Sequence, residues 1–271
     1  MARRYGDHPN GVEMIDIPED DIEYSGQRGR LAGPQYVASG HHQLGAAAPF
    51  QVRPAGEVRP AQSLCIARRP DSVAAQQYRL LKYKLKEGID PRVIGIASPR
   101  PKEGKTTVAA NFGLALAEGR RVRIMLLDLN LRHPALTEMF GLTTTGGIAE
   151  QLRRKRRDPD GYWDVLELGS RLHLMAGGAA NDNPAPLLNS DEIPRLIYDL
   201  AENYDYVVVD LPSISEGADV KIVQEQLDGL VLVCRAGRTV KAAVATAIKQ
   251  LGRSKLQGVL MLDVKSRYMP K

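Results

Sequence analysis

The sequence predicts an α/β protein built on a doubly wound, mainly parallel sheet. Two observations carry that expectation. From Asp71 onward, short apolar runs alternate with helix-period segments, and the first run leads through a Gly-Lys-Thr turn directly into a helix. Helices on both faces leave the strands no solvent side, so they read as unbroken apolar runs. Ligands of such sheets bind at the carboxyl ends of the strands.

The elements follow in order. Residues 1 to about 60 are rich in Gly, Pro, Ala, Gln and Arg and show no sustained period. Such a segment buries too little apolar surface to offset chain entropy, so residues 1–70 are expected to lack stable structure. Its acidic piece "EMIDIPEDDIEY" reads as a solvated charge run or a docking segment, and His41 and His42 have no third ligand nearby. "DSVAAQQYRLLKYKLKEG" places Ala74, Tyr78, Leu81 and Leu85 on one helical face, with Asp71 or Ser72 as N-cap and Gly88 as the stop. Strands are then expected over "RVIGIA", "RVRIMLLD", "LHLMAGG", "DYVVVD", "GLVLVC" and "GVLML". Helices are expected from Thr106, over "SDEIPRLIYDLAENY", near "ADVKIVQEQL" and from Thr239. Residues 71–265 form the expected domain, and residues 266–271 a short tail.

Composition narrows the class. A chain of 271 residues, 43% hydrophobic, can bury one full core with appendages. The net charge of +5 permits contact with acidic lipid or nucleic acid without requiring either. The basic run "RRKRR", Arg153 to Arg157, lacks interleaved aromatics, so no nucleic-acid partner is expected; it reads as a solvated helix end or a contact for anionic lipid. Cys65 and Cys234 are far apart and suggest neither disulfide nor zinc, and Trp163 reads as a packing residue. No apolar stretch approaches eighteen residues and the N-terminus lacks a signal-peptide pattern, so a cytoplasmic protein is expected.

The stretch "SPRPKEGKTTVAANFG" carries the chemistry. Backbone N–H groups of a tight loop and of the following helix N-terminus cradle phosphate oxygens, a lysine adds a compact positive charge, and a hydroxyl binds magnesium. Gly104, Lys105 and Thr106 supply these parts, although Pro99 stands where the pattern G-x-x-x-x-G-K-[ST] has its first glycine. Two later apolar runs end in Asp128 and Asp210, carboxylates at strand ends where a magnesium needs ligands. The bland alternative is a sheet whose strands end in carboxylates because loops are polar.

These residues, with "LLDLNLRHP", the Asn-Pro and Leu-Leu-Asn-Ser segment, "YVVVDLPS" and "CRAGRT", resemble the bacterial tyrosine autokinases of capsule and exopolysaccharide export over residues 71 to about 265. The resemblance implies a fold of the P-loop NTPase type, ATP and Mg2+ as cofactors, and γ-phosphate transfer to tyrosine. It implies catalytic roles for Lys105, Asp128 and Asp210, and metal ligation by Thr106, Asp128 and Asp210. The nucleotide contacts it implies are Lys102, Glu103, Gly104, Lys105, Thr106, Thr107 and Arg132; Arg132 either reaches phosphate or fixes its loop. An integral inner-membrane polysaccharide copolymerase is the implied partner, which would hold the chain peripheral to that membrane.

Departures from the family pattern shape three readings. Where the family has Asp-x-Asp-x-Arg, this chain has Asp128, Asn130 and Arg132, and an amide cannot act as a base. Restoring that carboxylate by Asn130→Asp is therefore expected to raise turnover. Lys102 stands for a glycine, which costs about 1 kcal/mol if its φ is positive, and Leu262 for an asparagine near the adenine. The ring-assembly motif Glu-x-x-Arg-x-x-Arg is matched loosely by Gln76, Arg79 and Lys82, so self-association is expected to be weak. Tyr268 stands alone where the family has a tyrosine cluster. The main reading is an export-associated kinase; the alternatives are a degenerate nucleotide-binding subunit and a ParA-like positioning ATPase, the latter disfavoured by Arg100 in place of its signature lysine.

Overall fold

A computed structural model describes residues 11–15, 49–87, 90–119, 121–143 and 146–264. His41, His42, the stop at Gly88 and the tail with Tyr268 lie outside the described residues. In chain order the strands are β1 (Gly11–Ile15), β2 (Phe50–Pro54), β3 (Val93–Ser98), β4 (Ile124–Asp128), β5 (Trp163–Gly169), β6 (Leu172–Met175), β7 (Tyr206–Ser213), β8 (Gly229–Arg235) and β9 (Leu256–Val264). The helices are α1 (Cys65–Arg68), α2 (Val73–Glu87), α3 (Lys105–Ala117), α4 (Leu136–Met139), α5 (Ile148–Lys155), α6 (Ala185–Leu188), α7 (Glu192–Asn203), α8 (Asp219–Val223) and α9 (Lys241–Leu251).

Among the described residues the strands form one nine-stranded sheet in the order β1-β9-β8-β3-β7-β4-β6-β5-β2. The block from β9 to β6 is parallel throughout, as the sequence predicts. Odd and even side chains of β3, β4, β7 and β8 enter opposite cores, which is why these runs carry no polar alternation. On β4, Ile124 and Leu126 pack with Tyr78 and Leu81 of α2 and Val108 and Phe112 of α3. Met125 and Leu127 face the other way, toward Ile193, Leu196 and Leu200 of α7. Ser72 caps α2 by accepting the Ala75 N–H at 3.2 Å, and all four apolar positions foreseen for that helix are buried.

The expectation that residues 1–70 lack structure needs correction at the described residues of that segment, 11–15 and 49–70. Both sheet margins come from this segment: β1 pairs antiparallel with β9, and β2 runs parallel to β5, itself antiparallel to β6. Residues 63–66 are fastened to α3 by Asn111, a fully buried side chain. Its Oδ1 accepts the Ile66 N–H at 3.2 Å, and its Nδ2 donates to the carbonyls of Ser63 (3.0 Å) and Thr107 (2.9 Å). The Arg59 and Ala61 N–H groups donate to the carbonyls of Phe140 and Met139, both at 2.8 Å. A low-hydrophobicity segment thus gains order from partners far along the chain, which composition cannot register. Strand β5 was also unforeseen; Trp163 and Val165 are buried on one face of it, and Trp163 is a core residue as expected.

Candidate nucleotide site

Strand β3 ends at Ser98 beside β7 and β8, at the centre of the sheet, and the loop 99–104 turns from it into α3. The loop is fixed from within and from afar. The Ser98 hydroxyl donates to the Arg100 carbonyl at 2.7 Å, and the Arg100 N–H donates to Glu103 Oε2 at 3.0 Å. Glu103, buried, also accepts the Thr239 hydroxyl at 2.6 Å, and that hydroxyl in turn accepts the Arg235 N–H at 2.8 Å. Glu103 therefore braces the loop against the β8–α9 connection through its side chain.

Two backbone angles shape the cradle. Lys102 has φ 62°, the left-handed conformation in which the family's glycine costs nothing and lysine about 1 kcal/mol. Gly104 has φ 97°, an angle that favours glycine, and a Cβ there would stand 2.5 Å from Leu262 Cδ1, so that side chain would also have to shift. Leu262, standing where the family's asparagine would be, packs over the loop.

The foreseen metal and phosphate groups converge. Lys105 and Thr106 open α3, with Lys105 buried, and the Thr106 hydroxyl donates to Asp210 Oδ2 at 2.7 Å. Asp128 lies directly opposite Asp210 in the β4–β7 register. Asp128 accepts the N–H groups of Asn130 (3.1 Å), Ala135 (3.0 Å) and Leu136 (3.0 Å). Asp210 Oδ1 is buried with no hydrogen-bond partner. A buried carboxylate oxygen left bare costs about 1–3 kcal/mol, so the donor set fits a cation held between phosphate and protein oxygens.

Burial pushes the Asp128 carboxyl up to about 8, with the Asp210 charge adding to it and the backbone N–H groups opposing. Burial pushes Asp210 up to about 6, against Lys105 and the Thr106 hydroxyl. A carboxyl raised above its unfolded value gives stability that is fully present below that unfolded value and lost as pH rises through the folded one. The metal-free protein is therefore expected to melt at falling temperature between about pH 4 and 8, and Asp128→Asn to flatten the fall. Melting curves with identical slopes for both proteins would refute this account.

The remaining candidates divide. Thr107 offers its carbonyl to Asn111, and the Lys102 side chain is exposed at the loop rim. Arg132 is tied to two neighbouring segments. Its Nε donates to Asp219 Oδ2 at 2.6 Å, its Nη2 to Asp219 Oδ1 at 3.3 Å and its Nη1 to the Asp182 carbonyl at 2.7 Å. The four arginines of "RRKRR" are exposed, with Arg154 pairing with Asp164 at 2.9 Å and Arg156 donating to the Pro186 carbonyl at 3.1 Å, while Lys155 is buried 4.8 Å from the Trp163 ring centre. Sequence reading missed Glu103's brace on Thr239 and missed Glu216 altogether. Glu216 accepts the Ser213 N–H at 3.0 Å, and only the spacing Ser-x-x-Glu could have flagged it.

A parallel sheet with a phosphate loop after β3, a lysine and threonine opening the next helix, and one aspartate ending β4 beside another within β7, which runs on past Asp210 to Ser213, defines a P-loop nucleotide-binding protein. The comparisons are narrower. Over 199 residues, 71% of this chain and 82% of the relative, it is 32% identical to the tyrosine-protein kinase YwqD of Bacillus subtilis (strain 168). The chain belongs to the bacterial tyrosine-protein kinase family. It is also 33% identical over 200 residues to the succinoglycan biosynthesis transport protein ExoP of Rhizobium meliloti (strain 1021), covering 71% of this chain and 25% of that much longer protein. Among solved structures, the BceF tyrosine kinase domain superposes with a TM-score of 0.63 at 26% identity, over 76% of this chain and 83% of that one. The kinase domain of the Escherichia coli tyrosine kinase ETK gives 0.68 at 21% identity, over 77% and 82%, a likeness of fold. No protein-family profile matches the chain. This membership favours the kinase reading over the positioning-ATPase alternative.

Proposed function

We propose that the chain binds Mg-ATP between the 99–106 loop and the ends of β4 and β7, and transfers the γ-phosphate to protein tyrosine. The observation that carries this reading is the bare, buried Oδ1 of Asp210 beside the Thr106 hydroxyl and Lys105. Thr106 and Asp210 would hold magnesium, with Asp128 in support, and the ion when bound neutralises phosphate charge. The N–H groups of residues 102–107 and the Lys105 ammonium orient the phosphates, and Glu103 keeps the loop in shape. The test is calorimetry with Mg-ATP, followed by incubation with ATP and a tyrosine-containing polymer and detection of phosphotyrosine. Absence of ATP binding would remove the reading.

A second reading, a nucleotide-dependent regulatory subunit with little phosphotransfer, is favoured by Asn130. This side chain is buried, and its Nδ2 donates to the His133 carbonyl at 2.7 Å, a structural bond rather than proton chemistry. Nucleotide binding without phosphotyrosine would select this second reading.

The name of one relative, a succinoglycan biosynthesis transport protein, supports a role in exopolysaccharide or capsule assembly and export. An integral inner-membrane copolymerase is the proposed partner. Among the described residues no helix is long and apolar enough to cross a membrane, so attachment at the cytoplasmic side would come through that partner.

Self-association is proposed to be weak. Arg79 is committed within the chain: its Nε and Nη2 donate to Glu118 at 2.7 and 2.6 Å and its Nη1 to the Pro70 carbonyl at 2.8 Å, while the position of a pairing carboxylate is the exposed Gln76. Light scattering is expected to report a monomer at about micromolar concentration, in wild type and Arg79→Ala alike, since the bond across subunits lacks its acidic half. A stable ring in both proteins would show that another surface assembles.

A further inference from the structure

The proposed reaction needs an acceptor for the tyrosine proton, and Asn130 does not provide one. Glu216, in the turn that follows β7, is a carboxylate tied both to the start of the phosphate loop and to the loop after β4. The Ser215 N–H donates to the Pro99 carbonyl at 3.2 Å, pinning the 214–216 turn to the start of the phosphate loop. The Ser213 N–H donates to Glu216 Oε2 at 3.0 Å, and the Ser213 hydroxyl donates to the same oxygen. Oε1 faces the opposite wall, 3.2 Å from Nε2 of His133, whose side chain is 72% exposed. The His133 carbonyl is the group that Asn130 holds. Arg132 fixes the other flank of the turn through Asp219 and lies 3.3 Å from where a Cβ on Gly217 would be.

We propose that Glu216 is a catalytic residue of this chain, its Oε1 accepting the hydroxyl proton of the incoming tyrosine in place of the carboxylate missing at position 130. This rests on the proposed tyrosine-kinase reading. The tyrosine oxygen forms its bond to the γ-phosphorus as the bond from that phosphorus to the β-phosphate oxygen breaks, and the electron pair of the broken bond leaves with ADP. The proton passes to Oε1 and is returned to solvent when the products leave. His133, exposed, yields its place on Oε1 to the tyrosine hydroxyl.

The surroundings suit the role. Burial alone would raise the Glu216 carboxyl, but the Ser213 bonds and the nearby His133 and Lys105 outweigh it and hold the group below the usual carboxylate range. The charged groups facing it are Lys105 from α3, and His133 and Arg132 from the loop after β4. It is ionised at neutral pH, whereas Asp128 is pushed toward its neutral form. A low basicity is acceptable in a loose transition state, where the proton leaves as the new bond forms.

The bland role of Glu216 is a cap for its own turn, and Glu216→Gln separates the two. The amide oxygen still accepts both Ser213 bonds but takes no proton. In the full chain, Glu216→Gln is expected to lower kcat for tyrosine phosphorylation at least about tenfold. ATP affinity by calorimetry and KM for ATP should stay within about twofold, and the melting temperature should fall less than in Glu216→Ala. Glu216→Ala should lose the same rate and also melt lower, having lost the cap. Wild-type kcat in Glu216→Gln would overturn the proposal, as would a rate loss matched by lost ATP affinity, or a wild type that binds Mg-ATP without making phosphotyrosine. Each of those leaves the nucleotide site standing; failure of the wild type to bind Mg-ATP would sink the site and the proposal together.

Discussion

Lys105→Ala is expected to weaken Mg-ATP binding at least tenfold, about 1.4 kcal/mol or more, and to lower any phosphotransfer at least about a hundredfold. Lys105 is buried at the start of α3, so its charge acts in a setting poorer in water than the surface, where a phosphate contact is worth more. It is also the counter-charge that holds the buried Asp210 down. Its removal leaves Asp210 more readily protonated and less fit to hold a cation, so affinity and magnesium dependence should fall together. Lys105→Arg should rescue little, because a planar fork does not replace a compact ammonium in a loop braced by Glu103 and Thr239. Equal calorimetric affinities for wild type and Lys105→Ala would remove the phosphate-loop assignment.

Asn130→Asp looks from the sequence like a repair, and the structure reverses the expectation. The side chain is 1% exposed, and its Nδ2 supplies the 2.7 Å bond to the His133 carbonyl. An ionised aspartate would set a carboxylate oxygen against that carbonyl and add a charge beside Asp128 and Asp210, whose burial already disfavours ionisation. A protonated aspartate could keep the bond but could accept nothing. Either form is expected to lower stability by about 1–3 kcal/mol without raising turnover, read from denaturant midpoints and from phosphotyrosine formation. A variant as stable as wild type with turnover at least tenfold higher would restore the reading of Asn130 as a lost base and remove the need for Glu216.

Much of the site was legible because its parts are local in sequence. A strand, a Gly104-Lys105-Thr106 turn and a helix specify one another within a few residues, and an apolar run ending in Asp128 or Asp210 announces where a carboxylate will stand. Even the strain at Lys102 could be anticipated, since a glycine-shaped angle must be met by whichever residue occupies it. What the sequence hid is held by long-range partners. Nothing near Glu103 points to Thr239, and nothing in "AQSLCIA" foretells that Asn111 will supply its hydrogen bonds. Arg132 stayed ambiguous because its role depends on Asp219, far along the chain. Glu216 sits in a turn where the spacing Ser213-x-x-Glu216 announces a cap, whereas its place facing His133 comes only from the fold.

The two marginal strands have a consequence for handling the protein. The motifs that carry the family resemblance in the sequence lie from residue 71 onward, and a fragment cut there would look natural by motif. Such a cut strips β1 from β9 and β2 from β5, baring backbone donors and acceptors along both margins of the sheet at once. It also removes the residues that satisfy Asn111 inside the core. The shortened chain would keep every group of the phosphate site and yet carry two templates for intermolecular pairing, so clumping in such a preparation would report the cut and not the behaviour of the intact molecule.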